Sequence, residues 1–143
     1  MGFKGLIFGC FFILVAFKIN AQSENKYFVI CNNENNATLN EKMLKEILYG
    51  ELLYWPTGNI INLALYKSNS EESKKFAQNF FEGSVLNVQK HWLSIVFQGR
   101  AGSPPVFFDS TSEIMHFVET NKNAIAVIYS PPSEKVRLIE VEK

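Results

Sequence analysis

Few side chains in this sequence stand where they could do chemistry. His91 and His116 are too far apart to make a local metal motif, and Cys31 has no cysteine or histidine close by. His91 beside Trp92 is expected on the flank of one helix, and His116 beside Phe117 on another. No nucleophile elbow, phosphate-binding P-loop or dinucleotide glycine pattern occurs. Gly99-Arg100-Ala101-Gly102-Ser103 contains glycines, but no strand leads directly into it and no capped helix directly follows. Arg100 in that loop offers a cation to an anion, although a loop arginine is more often simply solvated. At this level the sequence has no catalytic centre, no metal site and no need of a cofactor.

The composition narrows the classes further. Formal net charge is zero, so no basic field points to nucleic acid and no acidic tail points to a basic partner. The chain is 47% apolar and 20% charged, as soluble globular proteins are, and its 143 residues suit one domain. Aromatic content is high and mostly phenylalanine, which implies a well-filled core or an adhesive surface.

The chain begins with a leader. Met1-Gly2-Phe3-Lys4 is a short positive start, Gly5 to Phe17 an apolar run, and Lys18-Ile19-Asn20-Ala21-Gln22 turns polar. This reads as a signal peptide over residues 1–21, cut after Ala21, although Ile19 stands where a small residue is usual. The run falls short of the about 20 apolar residues that span a bilayer. Ile7-Phe8-Gly9-Cys10 faintly resembles a lipoprotein box but precedes most of the apolar run. Export to the periplasm without stable membrane insertion is expected, with residues 22–143 as the single domain. Cleavage removes Cys10, leaving Cys31 alone and ruling out an intramolecular disulfide.

The elements follow from periodicity. Tyr27 to Cys31 is a short β-forming run that reads as a strand buried on both faces. Thr38 and Glu41 have capping-box spacing ahead of a helical stripe of Leu39, Met43, Leu44, Ile47 and Leu48, closed by Gly50. Trp55, between that glycine and the Pro56–Gly58 turn, is expected to plug the corner where helix meets sheet. A strand over Asn59–Tyr66 then completes an expected right-handed βαβ crossover. Ser68 with Glu71, or Asn69 with Glu72, can cap a second helix, buried through Phe76, Ala77, Phe80 and Phe81 and ended by Gly83. Asn87 is the expected cap of a third, with Val88, Trp92, Ile95 and Val96 on one face. Val106 to Phe108 is extended. Ser110 and Glu113 open a fourth helix, Ala124 to Tyr129 is a buried strand, and Val136 to Val141 is a last strand. Asn36-Ala37-Thr38 matches a glycosylation triplet by chance.

The order of these features resembles a known family. A strand ends in Asn32, and a capped helix ends in Ile47-Leu48-Tyr49-Gly50. The Trp55 turn feeds a strand, and helices follow around Phe76 and His91-Trp92. Phe97-Gln98-Gly99, a proline-containing loop, the Ile114–Val118 helix and Ala124-Ile125 complete the series. Over Tyr27 to Tyr129 this is similar to the phosphate-type periplasmic solute-binding proteins, with the type 2 periplasmic-binding-protein fold, in a short single-lobe form. The resemblance implies an α/β fold: a single three-layer lobe with a mixed, mostly parallel sheet of about 4–5 strands flanked by helices.

It also implies a non-enzymatic protein that takes phosphate or another oxyanion through donors at helix N-termini. The candidate ligand residues are Asn32, Thr38, Lys67, Ser68, Ser70 and Arg100. In phosphate binders the turn matching Lys67-Ser68-Asn69-Ser70 resembles an arginine followed by a Ser-Gly-Thr loop. Here the hydroxyls and a cation remain, the glycine and threonine are absent, and Glu71 and Glu72 occupy the first helical turn. Two carboxylates there complement the dipole and repel a phosphate, which favours Ser68 and Ser70 as caps that bind nothing. A two-lobe binder needs about twice this length, so a closing cleft requires a second protein chain. The other expected role is a periplasmic interaction or scaffold protein without a small-molecule ligand.

Overall fold

The computed structural model describes residues 26–100 and 102–143, together with Gly2. The expected leader over residues 1–21 lies, Gly2 apart, outside them. In chain order the elements are β1 (Phe28–Cys31), β2 (Leu39–Asn40), α1 (Glu41–Leu48), β3 (Asn62–Tyr66), α2 (Glu71–Phe80) and α3 (Val85–Phe97). Then come β4 (Val106–Phe108), α4 (Thr111–Thr120), β5 (Ala124–Ile128), β6 (Arg137–Ile139) and β7 (Val141–Glu142).

Five strands form one open sheet in the order β4-β3-β5-β1-β6, and β2 pairs with β7 in a small second one. β3 is parallel to β4 and β5, while β1 is antiparallel to β5 and β6. Four of the five strands therefore point the same way and β1 alone opposes them. The expected crossover from the first strand to Asn59–Tyr66 is corrected here. Both strands join the same sheet, but β5 separates them and they run in opposite directions. All five residues of β5 are buried, so the strand takes a central place with a neighbour on each side.

Alternation along the strands builds three layers. Val29, Cys31, Leu63, Leu65, Ile125 and Val127 face α1, α2 and α3. Ile30, Ala64, Tyr66, Ala124, Ala126 and Ile128 face α4 through Ile114 and Val118. The α/β three-layer lobe is as the sequence implies.

Helix starts differ from expectation in three places, each for the same reason. Asn40, not Thr38, caps α1 by accepting from the Met43 N–H at 2.8 Å, because Leu39 is drawn into β2 beside Val141. Ser70, not Ser68 or Asn69, caps α2, and Ser84, not Asn87, caps α3. In each segment several oxygens compete within a few residues, and the one whose backbone is extended two to three residues before a free N–H wins. Ser110 caps α4 as expected, accepting from the Glu113 N–H at 3.2 Å. The last expected strand divides at Glu140, its halves joining different sheets.

Gly50 ends α1 in the left-handed region at φ 71°. Trp55 plugs the corner as expected. It is buried, its N–H and C=O close the 55–59 turn, and its indole Nε1–H donates to the Asn123 carbonyl at 3.0 Å.

Candidate functional site

Parallel pairing of β3 with β4 brings two helix starts together at one end of the sheet. β3 runs out into Lys67-Ser68-Asn69-Ser70 and α2; β4 runs out into Asp109-Ser110 and α4. The Lys67 N–H donates to the Phe108 carbonyl at 2.8 Å, which locks the two exits side by side.

Within the turn Lys67 and Ser70 are paired, whereas the Ser68 and Asn69 side chains carry no hydrogen bond to any described residue. The Ser70 hydroxyl donates to the Lys67 carbonyl at 3.0 Å and accepts from the Ser73 N–H at 3.1 Å. The Ser73 hydroxyl donates to the Ser70 carbonyl at 2.7 Å. Lys67 Nζ lies 2.9 Å from Asp109 Oδ2, and that hydrogen bond holds the exposed ammonium above its ordinary pKa. Glu113 Oε2 accepts from the Asp109 N–H at 3.0 Å. Glu71 and Glu72 fill the first turn of α2, and Lys74 holds the Glu71 carboxyl below its usual range. Beneath the turn, Tyr66 and Thr111 share a 2.6 Å hydroxyl contact, and burial pushes the Tyr66 hydroxyl up. Ser68 and Asn69 are exposed and face an open concavity of about 730 Å³, whose far side is Trp92, Leu93 and Phe107.

The six candidate residues do not form one site. Lys67, Ser68 and Ser70 share this turn. Asn32 directly follows β1, which runs the other way, and therefore lies at the opposite end of the sheet. Its Nδ2 donates at 2.9 Å to the carbonyls of both Val118 and Glu119, at the end of α4 furthest from Ser110. A ten-residue helix puts roughly 15 Å between those ends. Its Oδ1 accepts from the Glu34 N–H at 2.9 Å, so this buried amide ties β1 to α4. Thr38 is exposed at that same far end, beside Trp55 and Lys122 around a separate hollow of about 720 Å³. Arg100 follows α3, is exposed and contacts Gln98 at 3.4 Å. Two residues on, a Cβ at Gly102 would lie 3.9 Å from the Tyr54 hydroxyl. Since Tyr54 bridges to Ile60 just before β3, Gly102 is at the starting end of that strand, while Pro104 and Pro105 further along the loop reach the hollow that Lys67 lines. The reversed direction of β1 is what separates Asn32 and Thr38 from the turn.

Asp109 and Glu113 are the parts of this turn that sequence reasoning missed. Their signal was position: an acid just after an extended segment and another inside a capping box. It becomes readable only once β4 is known to lie beside β3. His91 sits on the flank of α3 as expected, its Nε2 2.8 Å from the Tyr49 carbonyl and its ring edge-on to Tyr49 and Phe81. Among the described residues no cluster of His, Cys, Asp or Glu is arranged to hold a metal ion. No helix among them is long and apolar enough to cross a membrane.

No family model and no curated protein matches the chain. Solved structures do. An ABC-type phosphate transport receptor from Vibrio cholerae superimposes with a TM-score of 0.58 and 17% identity over 80% of this chain and 45% of that one. PstS from Borrelia burgdorferi gives 0.58 and 17% over 80% and 46%. The chain thus spans about half the length of the structures it matches. At this identity the likeness is one of fold: the chain has the architecture of a single lobe of a phosphate-type solute-binding protein.

Proposed function

We propose that this chain is an exported, non-enzymatic solute-binding-like domain of the phosphate-transporter type, whose oxyanion turn is closed from within. The observation that carries this reading is the occupation of the turn itself. The one cation, Lys67, lies on Asp109, and the Ser70 hydroxyl is committed to capping α2. An incoming phosphate would displace a carboxylate from the lysine, disrupt a cap, and sit among Glu71, Glu72 and Asp109. A helix N-terminus offers an anion about 0.3–1 kcal/mol at an exposed site, and two resident carboxylates already answer that dipole.

Calorimetry tests it. Phosphate or sulfate titrated into the exported chain at neutral pH is expected to give no saturable heat below about 1 mM, a threshold of roughly −4 kcal/mol. Ser70→Ala is expected to lower unfolding stability by about 1 kcal/mol, the usual worth of a cap, and to leave the anion titration flat. Micromolar phosphate binding that disappears in Ser70→Ala or Lys67→Ala would overturn the reading.

A second reading, an interaction protein without a small-molecule ligand, is favoured by one specific feature. The outer side of α3 is apolar and open, with Phe97 81% exposed and Leu93 57% exposed.

A further inference from the structure

α3 carries two apolar stripes. Val88, Trp92 and Ile95 face the core, while Leu86, Leu93, Val96 and Phe97 face outward and are exposed. An exposed surface helix has no need of the second stripe, and contiguous open apolar surface of this kind marks a contact that another molecule covers. Beside it lies β4, the edge strand, which has a partner on one side only. Its residues Val106, Phe107 and Phe108 are all apolar, and the proline and acid that bound the strand, Pro105 and Asp109, stand at its two ends rather than on Phe107. The opposite edge strand carries a charge within it. β6 begins with Arg137, whose guanidinium turns inward to the Asn35 and Ala37 carbonyls, and charged Lys135 and Glu140 flank the strand.

We infer that β4 and the outer stripe of α3 form a docking surface for a second copy of this chain. The copies pair β4 against β4 in antiparallel fashion about a two-fold axis at Phe107. Three observations choose this occupant. The first is backbone direction. The Phe108 carbonyl points to β3, where it accepts from the Lys67 N–H, so by alternation the N–H and C=O of Phe107 point outward. A two-fold axis there lets the two Phe107 residues exchange both hydrogen bonds. The second is side-chain direction. Phe107 lies on the α3 side, where it lines the groove with Leu93 and Val96, whereas Phe108 packs against Phe117 on the α4 side. Pairing at Phe107 sets both Phe107 rings against each other and brings the two outer stripes of α3 over the seam. The third is charge and area. Formal net charge is zero over the whole sequence and, with Lys4 and Lys18 removed with the leader, −2 for residues 22–143 (12 basic against 14 acidic side chains), so self-association meets little overall repulsion. Leu86, Leu93, Val96, Phe97, Val106 and Phe107 are exposed, and at on the order of 100 Å² each they offer roughly 600 Å² per partner, the size of a weak, reversible interface rather than the about 800 Å² of a standard one. The result is an isologous dimer with one continuous ten-stranded sheet. The second copy also walls the groove that Ser68 and Asn69 face.

Sedimentation velocity of the full chain, expressed with its leader and purified after export, tests this between about 1 and 100 µM. The expected result is a concentration-dependent dimer. Phe107→Lys and Phe97→Lys should each weaken it at least tenfold, and Leu138→Lys on the opposite edge should leave it unchanged. Phe97→Lys keeps the test open should Phe107→Lys fold poorly, since Phe97 is 81% exposed. A monomer at 100 µM, a dimer indifferent to both phenylalanine changes, or one broken by Leu138→Lys would overturn the inference. None of these outcomes depends on whether phosphate binds.

Discussion

Trp55→Ala is expected to destabilise the domain by about 3–5 kcal/mol, the range for emptying a buried tryptophan site. Trp55 is 4% exposed and belongs to the core cluster beneath α1, α2 and α3. Its indole N–H also ties the 55–59 turn to the Asn123 carbonyl that precedes β5. Two effects thus contribute, and their sizes differ. The Asn123 carbonyl still receives the Asn62 N–H at 2.9 Å when the indole is gone, so no acceptor is stranded. The hydrogen bond is therefore worth the usual net of about 1 kcal/mol, and packing is the larger share. Trp55→Phe separates the two. It keeps an aromatic ring and loses the donor, and it should cost clearly less than alanine in urea unfolding. Equal losses for the two variants would show that the hydrogen bond, not the ring, holds this corner.

Gly50→Ala is the second large effect, expected at roughly 3 kcal/mol although it adds one methyl group. Gly50 sits at φ 71°, where an L-residue bears about 1–2 kcal/mol. The added Cβ would also lie 2.8 Å from Trp92 Cη2 and 3.0 Å from Ile95 Cδ1. Neither neighbour can swing into solvent, since both are 5% exposed, and overpacking a filled core typically costs another 1–3 kcal/mol. Gly58→Ala is the control. Gly58 is also left-handed, at φ 90°, but a Cβ there meets nothing within 4 Å. It should show the backbone penalty alone. A melting shift at Gly50 no larger than that at Gly58 would remove α3 from the explanation of why α1 ends where it does.

Much of the fold was legible in the sequence because it is local. The buried-strand runs at Tyr27–Cys31 and Ala124–Tyr129 became β1 and β5, and Gly50, Gly83 and Gly99 each close a helix at positive φ. Those signals depend on a few neighbouring residues. The direction of β1 does not. Phe28 pairs with Ile128 across nearly the whole chain, and no periodicity within Tyr27–Cys31 specifies that partner or its sense. The same gap limited the reading of the site. The Lys67–Ser70 turn is contiguous and was readable. Its closure by Asp109 depends on β3 lying beside β4, and the distance of Asn32 and Thr38 from it depends on β1 opposing β3. Caps failed for a different reason: neighbouring Ser and Asn side chains are near-equivalent acceptors, and tertiary pairing such as β2 with β7 selects among them.

A crystal grown from phosphate shows whether the Lys67–Ser70 turn is closed to anions. Lys67 Nζ is expected still on Asp109, with the Ser70 hydroxyl still accepting from the Ser73 N–H and no anion between the two helix starts. A phosphate ordered there, with Lys67 turned away from Asp109 to meet it, would make the turn a working anion site.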